Sequence, residues 1–110
     1  MLDVSVVIPN FNRARLLERA LNSVASQSDS PAAVIVADNG STDGSVECAE
    51  RSGARVVRFE ENLGFSRAVN EAVKRCTTEY ILVLNNDAVL APDCLARLCE
   101  TAATHGAAFA

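Results

Sequence analysis

The sequence predicts an α/β fold: a Rossmann-like, mostly parallel sheet with alternating helices on both faces. Three observations predict it. Short β-branched runs alternate four times with segments of helical periodicity. Three of the four strand runs are near-continuously apolar, as strands covered on both faces must be. Strands joined through helices in this way return by right-handed crossovers and lie parallel. With 110 residues and 49% hydrophobic content, the expectation is a single domain over residues 1–110. Such a chain buries roughly two-thirds of its unfolded surface, enough for a core without staples.

The elements follow in order. Val4 to Ile8 reads as a strand stopped by Pro9, which has no N–H to give a neighbour. Leu16, Leu17, Ala20, Leu21, Val24 and Ala25 then repeat at helical spacing, with Asn12 as N-cap. Ser28 to Pro31 is a turn, and Val34 to Ala37 a second strand. Asp43 to about Arg51 is a short helix, capped by Ser41 or Thr42 and ended by Gly53. A hairpin at Asp38-Asn39-Gly40 is the local rival, but no strand-like run follows it. Ala54 to Phe59 contains the third strand. Ala68, Val69, Ala72, Val73 and Cys76 mark a helix, and Tyr80 to Leu84 is the fourth strand. Leu95, Leu98, Cys99 and Ala102 mark the last helix, with Pro92 as its early-position starter. The tail after Thr104 carries no signal.

Composition excludes several classes. Aromatics are 5% and Trp is absent, so there is no stacking platform for single-stranded nucleic acid. A net charge of −4 offers no phosphate-backbone footprint, and no nucleic-acid partner is expected. Cys48, Cys76, Cys94 and Cys99 form no CxxC pair, and His105 is the lone histidine, which argues against zinc. The cysteines read as small buried residues of a reducing compartment. No signal peptide precedes the first strand, and no apolar run approaches the roughly 20 residues of a membrane helix. The expected location is cytoplasmic.

In a parallel sheet every strand ends at the same edge, and ligands bind in the crevice there. The segments after the four strands are Pro9-Asn10-Phe11-Asn12, Asp38-Asn39-Gly40-Ser41, Glu60-Glu61-Asn62-Leu63-Gly64 and Asn85-Asn86-Asp87. Each alone is ordinary turn chemistry. Together they gather amides and carboxylates on one rim. A helix start favours acidic side chains, yet the first helix opens with Arg13 and Arg15, and the third carries Arg67 in its first turn. An anionic ligand would make those cations favourable, although long side chains can also swing out to water. Neither GxGxxG nor GxxxxGK[ST] is present, so a standard phosphate loop is excluded. Asp38 is placed to accept hydrogen bonds from a base or ribose, or to cap its own turn. Asp87 is placed to hold Mg²⁺ or Mn²⁺ that also touches two phosphates. Asn85 and Asn86 are placed to meet sugar or phosphate oxygens.

Four motifs carry a resemblance. VSVVIPNFNR, VADNGSTDGS, NLGFSRAVNEAV and YILVLNNDAVL stand in the order and approximate spacing of family 2 glycosyltransferases, and the resemblance covers nearly the whole chain. It implies the GT-A fold and inverting transfer of a sugar from a nucleoside diphosphate sugar to an acceptor hydroxyl, on a glycan or lipid-linked acceptor. It implies that Pro9, Asn10 and Asn12 line the nucleotide pocket and that Asp38 contacts the base. Asn62 and Gly64 match the turn before the third helix, and Arg67 the helix face nearest the nucleotide. Asn85, Asn86 and Asp87 occupy the DxD position, which binds a divalent cation and the donor. Asn85 stands where the family has its first Asp, and Ala72 where it often has Gly.

The resemblance also implies more chain than is present. The family's later half supplies the acceptor site and the catalytic base, so the expectation is a partial GT-A domain, the donor-binding half, ending one helix after the DxD-like position. No base is nominated, although Glu60 and Glu61 sit at the rim. The outer side of Tyr80 to Leu84 should then be an unpaired apolar edge, open to self-association or covered by other chain. Association with the inner membrane face is a further expectation. Two rivals remain: a binding module that holds a nucleotide sugar without transferring it, and an unrelated nucleotide-binding α/β domain.

Overall fold

A computed structural model describes residues 1–105. The elements are β1 (Leu2–Asn10), α1 (Ala14–Ala25), β2 (Pro31–Asp38), α2 (Ser45–Arg51), β3 (Arg55–Arg58), α3 (Phe65–Val73), β4 (Tyr80–Val83) and α4 (Cys94–His105). They alternate as the sequence predicts. The strands form one sheet in the order β3-β2-β1-β4, and every pairing is parallel. The Asp38-Asn39-Gly40 turn leads into α2, not into a hairpin.

Central position explains the apolar run of β1. Val4, Val6, Val7 and Ile8 are fully buried, because strands flank β1 on both sides and helices cover both faces. Each such side chain contributes about 1.5–3 kcal/mol by leaving water. Side chains alternate between two cores. Val4, Val6, Ile8 and Val36 pack against Leu17, Leu21 and Leu95, from α1 and α4. Val7, Ile35, Ala37 and Val57 pack against Ala68 and Ala72 of α3.

Several boundaries differ from the sequence reading, each for a local reason. Pro9 lies inside β1 instead of ending it: its partner is Ala37 of β2, while the β4 ladder stops at Val7↔Val83. Leu84 donates to the Val7 carbonyl, so alternate residues of β1 face β4, and the Pro9 nitrogen faces that side after β4 has ended. No ladder bond is lost there. The α1 N-cap is Arg13, without a side-chain cap. Asn12 instead adopts a left-handed φ of 49°, and its Oδ1 accepts from the Thr42 amide. α2 begins at Ser45 with Gly44 as N-cap, so neither Ser41 nor Thr42 caps it. α3 ends at Val73, which leaves Cys76 just beyond it.

Gln27 anchors the start of α4. Its Oε1 accepts from the Leu95 amide, and its Nε2 donates to the carbonyls of Ala91 and Ser23. The cysteines are unpaired, and burial raises the pKa of the Cys48 and Cys99 thiols. Among the described residues no helix is long and apolar enough to cross a membrane. β4 has no strand on its outer side among them, and its Ile81 and Val83 are only half-buried.

Candidate functional site

The parallel order carries all four strand ends to one edge, where an open cleft of about 450 Å³ lies. Its lining comes from all four strand ends: Pro9 and Asn10 at the end of β1 with Phe11 and Arg13 beyond it, and Asn39 after β2. Asn62, Gly64 and Phe65 come from the β3–α3 turn, and Asn85, Asn86 and Asp87 from the segment after β4.

A buried hydrogen-bond network makes the floor. The Asp38 side chain is fully buried. Its Oδ2 accepts from the Ser41 amide at 2.9 Å, and its Oδ1 from the Ser41 hydroxyl at 2.7 Å. Asn10 Nδ2 also donates to Asp38 Oδ1, at 3.3 Å, and the Asn86 amide donates to Asn10 Oδ1 at 2.9 Å. The Ser41 hydroxyl oxygen accepts from the Asn12 main chain at 2.9 Å. The first, second and fourth segments are thereby tied to one another beneath the cleft. Gly40 is required at this junction. Its φ is +85°, and an added Cβ would lie 3.3 Å from the Glu60 carbonyl and 3.4 Å from that of Phe59.

Of the residues singled out from sequence, Pro9, Asn10, Asn62, Gly64, Asn85, Asn86 and Asp87 meet at the cleft. Asn12, Asp38 and Arg67 do not line it. Asn12 turns its amide to Thr42. Asp38 shares strand parity with Val36, so it points into the layer beneath α1 and α2, and both its oxygens are engaged there. Arg67 is exposed, because α3 turns Ala68 and Ala72 to the sheet. Arg13, read from sequence as a cation an anionic ligand would favour, also lines it, and three lining residues were given no role of their own: Phe11, Asn39 and Phe65. Parity held a signal for one of them, since Asn39 follows Asp38 and so points the other way.

The α1 start also reads differently in three dimensions. The anion at that helix end is Asp43, whose Oδ2 accepts from the Ala14 amide at 3.0 Å. The Ser45 hydroxyl, the Ala14 amide and the Ser45 amide all donate to this carboxylate and lower its pKa. Arg15 lies in a shallow depression between α1 and α2, beside Asp43 and Glu47. Among the described residues Arg13 is the cation that lines the cleft.

The donor set bears on metal binding. Among the described residues no cluster of three or more His, Cys, Asp or Glu side chains forms a metal cage. Among the described residues Asp87 is the one carboxylate lining the cleft, beside the amides of Asn85 and Asn86. One carboxylate with oxygen neighbours fits Mg²⁺ or Mn²⁺ held mainly by ligand phosphates and water. Glu60 and Glu61 line a separate depression with Arg58, Phe59 and Leu63. A groove at the opposite end of the sheet, lined by Leu21, Val24, Pro31, Val34 and Ala54 among others, carries no charged side chain. It offers an anion no cationic side chain.

Known proteins are similar to this chain in sequence and fold. Over 104 residues the chain is 35% identical to an uncharacterized glycosyltransferase of Nostoc sp., covering 90% of this chain and 32% of that protein. It is 34% identical over 94 residues to chondroitin synthase of Escherichia coli, covering 82% of this chain and 14% of that one. Staphylococcus aureus TarS 1-349 in complex with UDP-GlcNAc superposes with a TM-score of 0.87 at 25% identity, covering 94% of this chain and 32% of that chain. The mannosyltransferase PcManGT of Pyrobaculum calidifontis, in complex with GDP-Man and Mn²⁺, gives 0.74 at 28% identity, covering 80% and 28%. The chain thus spans about a third or less of the length of each of these proteins. The sequence profile of glycosyl transferase family 2 matches residues 5–110, and the chain belongs to that family.

Proposed function

We propose that the cleft binds the nucleoside diphosphate sugar donor of an inverting glycosyltransferase, and that this chain supplies the donor-binding part of the enzyme. One observation carries the reading: four separate post-strand segments converge on a single hollow that holds both a cation, Arg13, and a carboxylate, Asp87. The similar TarS and PcManGT structures hold nucleotide sugars, which supports the same class of ligand here.

The division of labour follows from position along the sheet edge. Asp87, with Asn85 and Asn86, would hold the divalent cation at the β4 end. A cation bound there neutralises charge on the diphosphate leaving group. The Arg13 guanidinium meets phosphate oxygens with paired N–H donors. Asn62 and Gly64 shape the opposite wall: Asn62 Oδ1 accepts from the Gly64 amide at 2.8 Å, which sets the turn before α3. Asn10 and Asp38 act from below by holding the segments in register. In the reaction a base takes the proton of the acceptor hydroxyl, whose oxygen attacks the anomeric carbon from the face opposite the departing diphosphate. Asp87 is assigned to the cation, so no described residue of the cleft is assigned as that base.

A glycan or lipid-linked acceptor and a cytoplasmic location belong to this reading, the latter supported by four unpaired cysteines. The outer side of β4, with half-buried Ile81 and Val83, is a pairing edge for further chain or a second copy.

Isothermal titration with UDP and GDP, each with and without Mn²⁺, tests the reading, alongside hydrolysis of UDP-GlcNAc and GDP-Man. Mn²⁺-enhanced binding of a nucleoside diphosphate is the expected result. Binding without any turnover would favour a non-catalytic donor-binding module. Tight binding of flavin or a nucleoside triphosphate, with no affinity for diphosphates, would overturn the proposal.

A further inference from the structure

We propose that Gln27 is a positioning residue for the cation site: from the C-terminal end of α1 it fastens the segment that carries Asp87, and so fixes that carboxylate relative to Arg13. The inference rests on the donor-nucleotide reading above. Between β4 and α4 the chain from Leu84 to Asp93 forms neither helix nor strand. Its main-chain groups must find their partners elsewhere. One bond closes the turn that holds Asn86 and Asp87, from the Ala88 amide to the Asn85 carbonyl at 3.0 Å. Three more go to the end of α1 and the residues just after it. The Leu90 amide donates to the Ser23 hydroxyl oxygen at 3.1 Å. The Ala91 carbonyl accepts from Gln27 Nε2, and the Pro92 carbonyl from the Ser28 amide, both at 2.7 Å.

Gln27 is the centre of this fastening. It is only 9% exposed, and all of its side-chain polar atoms are engaged. Nε2 has two hydrogens and donates to the Ser23 and Ala91 carbonyls, while Oε1 accepts from the Leu95 amide at 3.0 Å. The flipped amide would set oxygen against two carbonyls and nitrogen against an N–H, so a single orientation fits. Burying an amide is costly unless its groups are bonded. A role confined to ending α1 would need only the Ser23 bond, yet two of the three bonds reach the segment after β4 and the start of α4.

Asp87 lies between two tethers. Before it, Asn86 Nδ2 donates to Asn10 Oδ1. After it, Leu90 is held by Ser23, and Ala88 and Leu90 pack against the core that α1 covers. The Asp87 side chain is exposed, so its place is set through the main chain on either side. Arg13 is the N-cap residue of the same α1. One helix, a rigid rod of about 18 Å, thus carries the guanidinium at one end and grips the carboxylate's segment from the other. A diphosphate that meets both Arg13 and a cation at Asp87 needs that spacing held.

Gln27→Met is the direct test, because it keeps the volume and removes all three bonds. Parent and variant are titrated with UDP and GDP, each with and without Mn²⁺, well below the Tm of either protein. Affinity in Mn²⁺ should fall about tenfold while metal-free affinity stays within about twofold, as lost support of a metal ligand implies. Ser23→Ala strips the acceptor from the Leu90 amide. It should lower the Mn²⁺ enhancement by a smaller factor, and it decides the matter if Gln27→Met does not fold. Ser52→Ala breaks a comparable bond, to the Ala49 carbonyl at the end of α2, and should leave the enhancement unchanged. An unchanged enhancement in Gln27→Met and Ser23→Ala, an equal loss with and without metal, or the same loss in Ser52→Ala overturns the positioning role while leaving the donor site in place. Parent protein that binds neither nucleotide would overturn both.

Discussion

The floor and the rim of the cleft are built from the same residue types and do opposite things. In the floor, Asn10, Asp38 and Ser41 are buried and spend their polar atoms on one another. At the rim, Asn62, Asn85 and Asp87 are exposed, and Arg13 is as well. An Asn or Asp after a strand is thus not a ligand residue by type. Direction decides, and direction follows from strand parity: Asn10 and Asp38 share the face of Ile8 and Val36, which is the face that α1 and α2 cover. The network lets a loop-built site hold its shape, since the segments after β1, β2 and β4 are bonded beneath the space they enclose.

The floor should respond to mutation through stability, and the rim through binding. The largest effect is expected for Asp38→Ala. It strips the partner from the Ser41 amide and hydroxyl and from Asn10 Nδ2, at a cost of about 3 kcal/mol. Tm should fall by roughly 10 °C or more in a thermal melt. A variant that melts with the parent and loses only nucleotide affinity would erase the contrast. Gly40→Ala comes next, at about 1–2 kcal/mol, since it adds a side chain at positive φ and crowds the Phe59 and Glu60 carbonyls.

Asp87→Ala should leave stability within about 0.5 kcal/mol, because the side chain is exposed. It should remove the Mn²⁺ dependence of nucleotide binding, which titration reads directly. A destabilised Asp87→Ala protein would place that residue with the floor.

The smallest effect concerns Asp43, which is exposed yet tied to α1 and α2. Hydrogen bonds from Ser45 first, and from the Ala14 amide, lower its folded pKa. Its stabilisation is therefore present above the unfolded value near 4 and lost as pH falls through the lowered one. Asp43→Asn should melt slightly below the parent at pH 7, and the gap should close as pH drops below about 4.

The sequence made the fold legible because its two periods are local properties of the chain. Val4 to Ile8 and Leu17 to Val24 announce strand and helix without reference to anything distant. It also implied that the four post-strand segments meet at one edge, since parallel strands leave no choice of rim. What it could not resolve was which polar side chains the fold consumes. Asp38 bonds to Ser41 and Asn10, and Asn12 to Thr42, a partner thirty positions away. The Asp43 contact that completes α1 likewise comes from another segment. Local cap rules named Asn12 for that end because they see only neighbours along the chain.

The most direct test of the donor cleft is a ¹H–¹⁵N titration of the protein with UDP and GDP in Mg²⁺, following both backbone amides and side-chain NH₂ groups. The predicted result is that shifts concentrate at Phe11, Arg13, Asn39, Gly64, Phe65 and Asn85 to Asp87, while Ala32 to Val34 and Ser52 to Ala54 at the opposite end stay still. Shifts centred on that opposite groove, or none at the rim with either nucleotide, would contradict it.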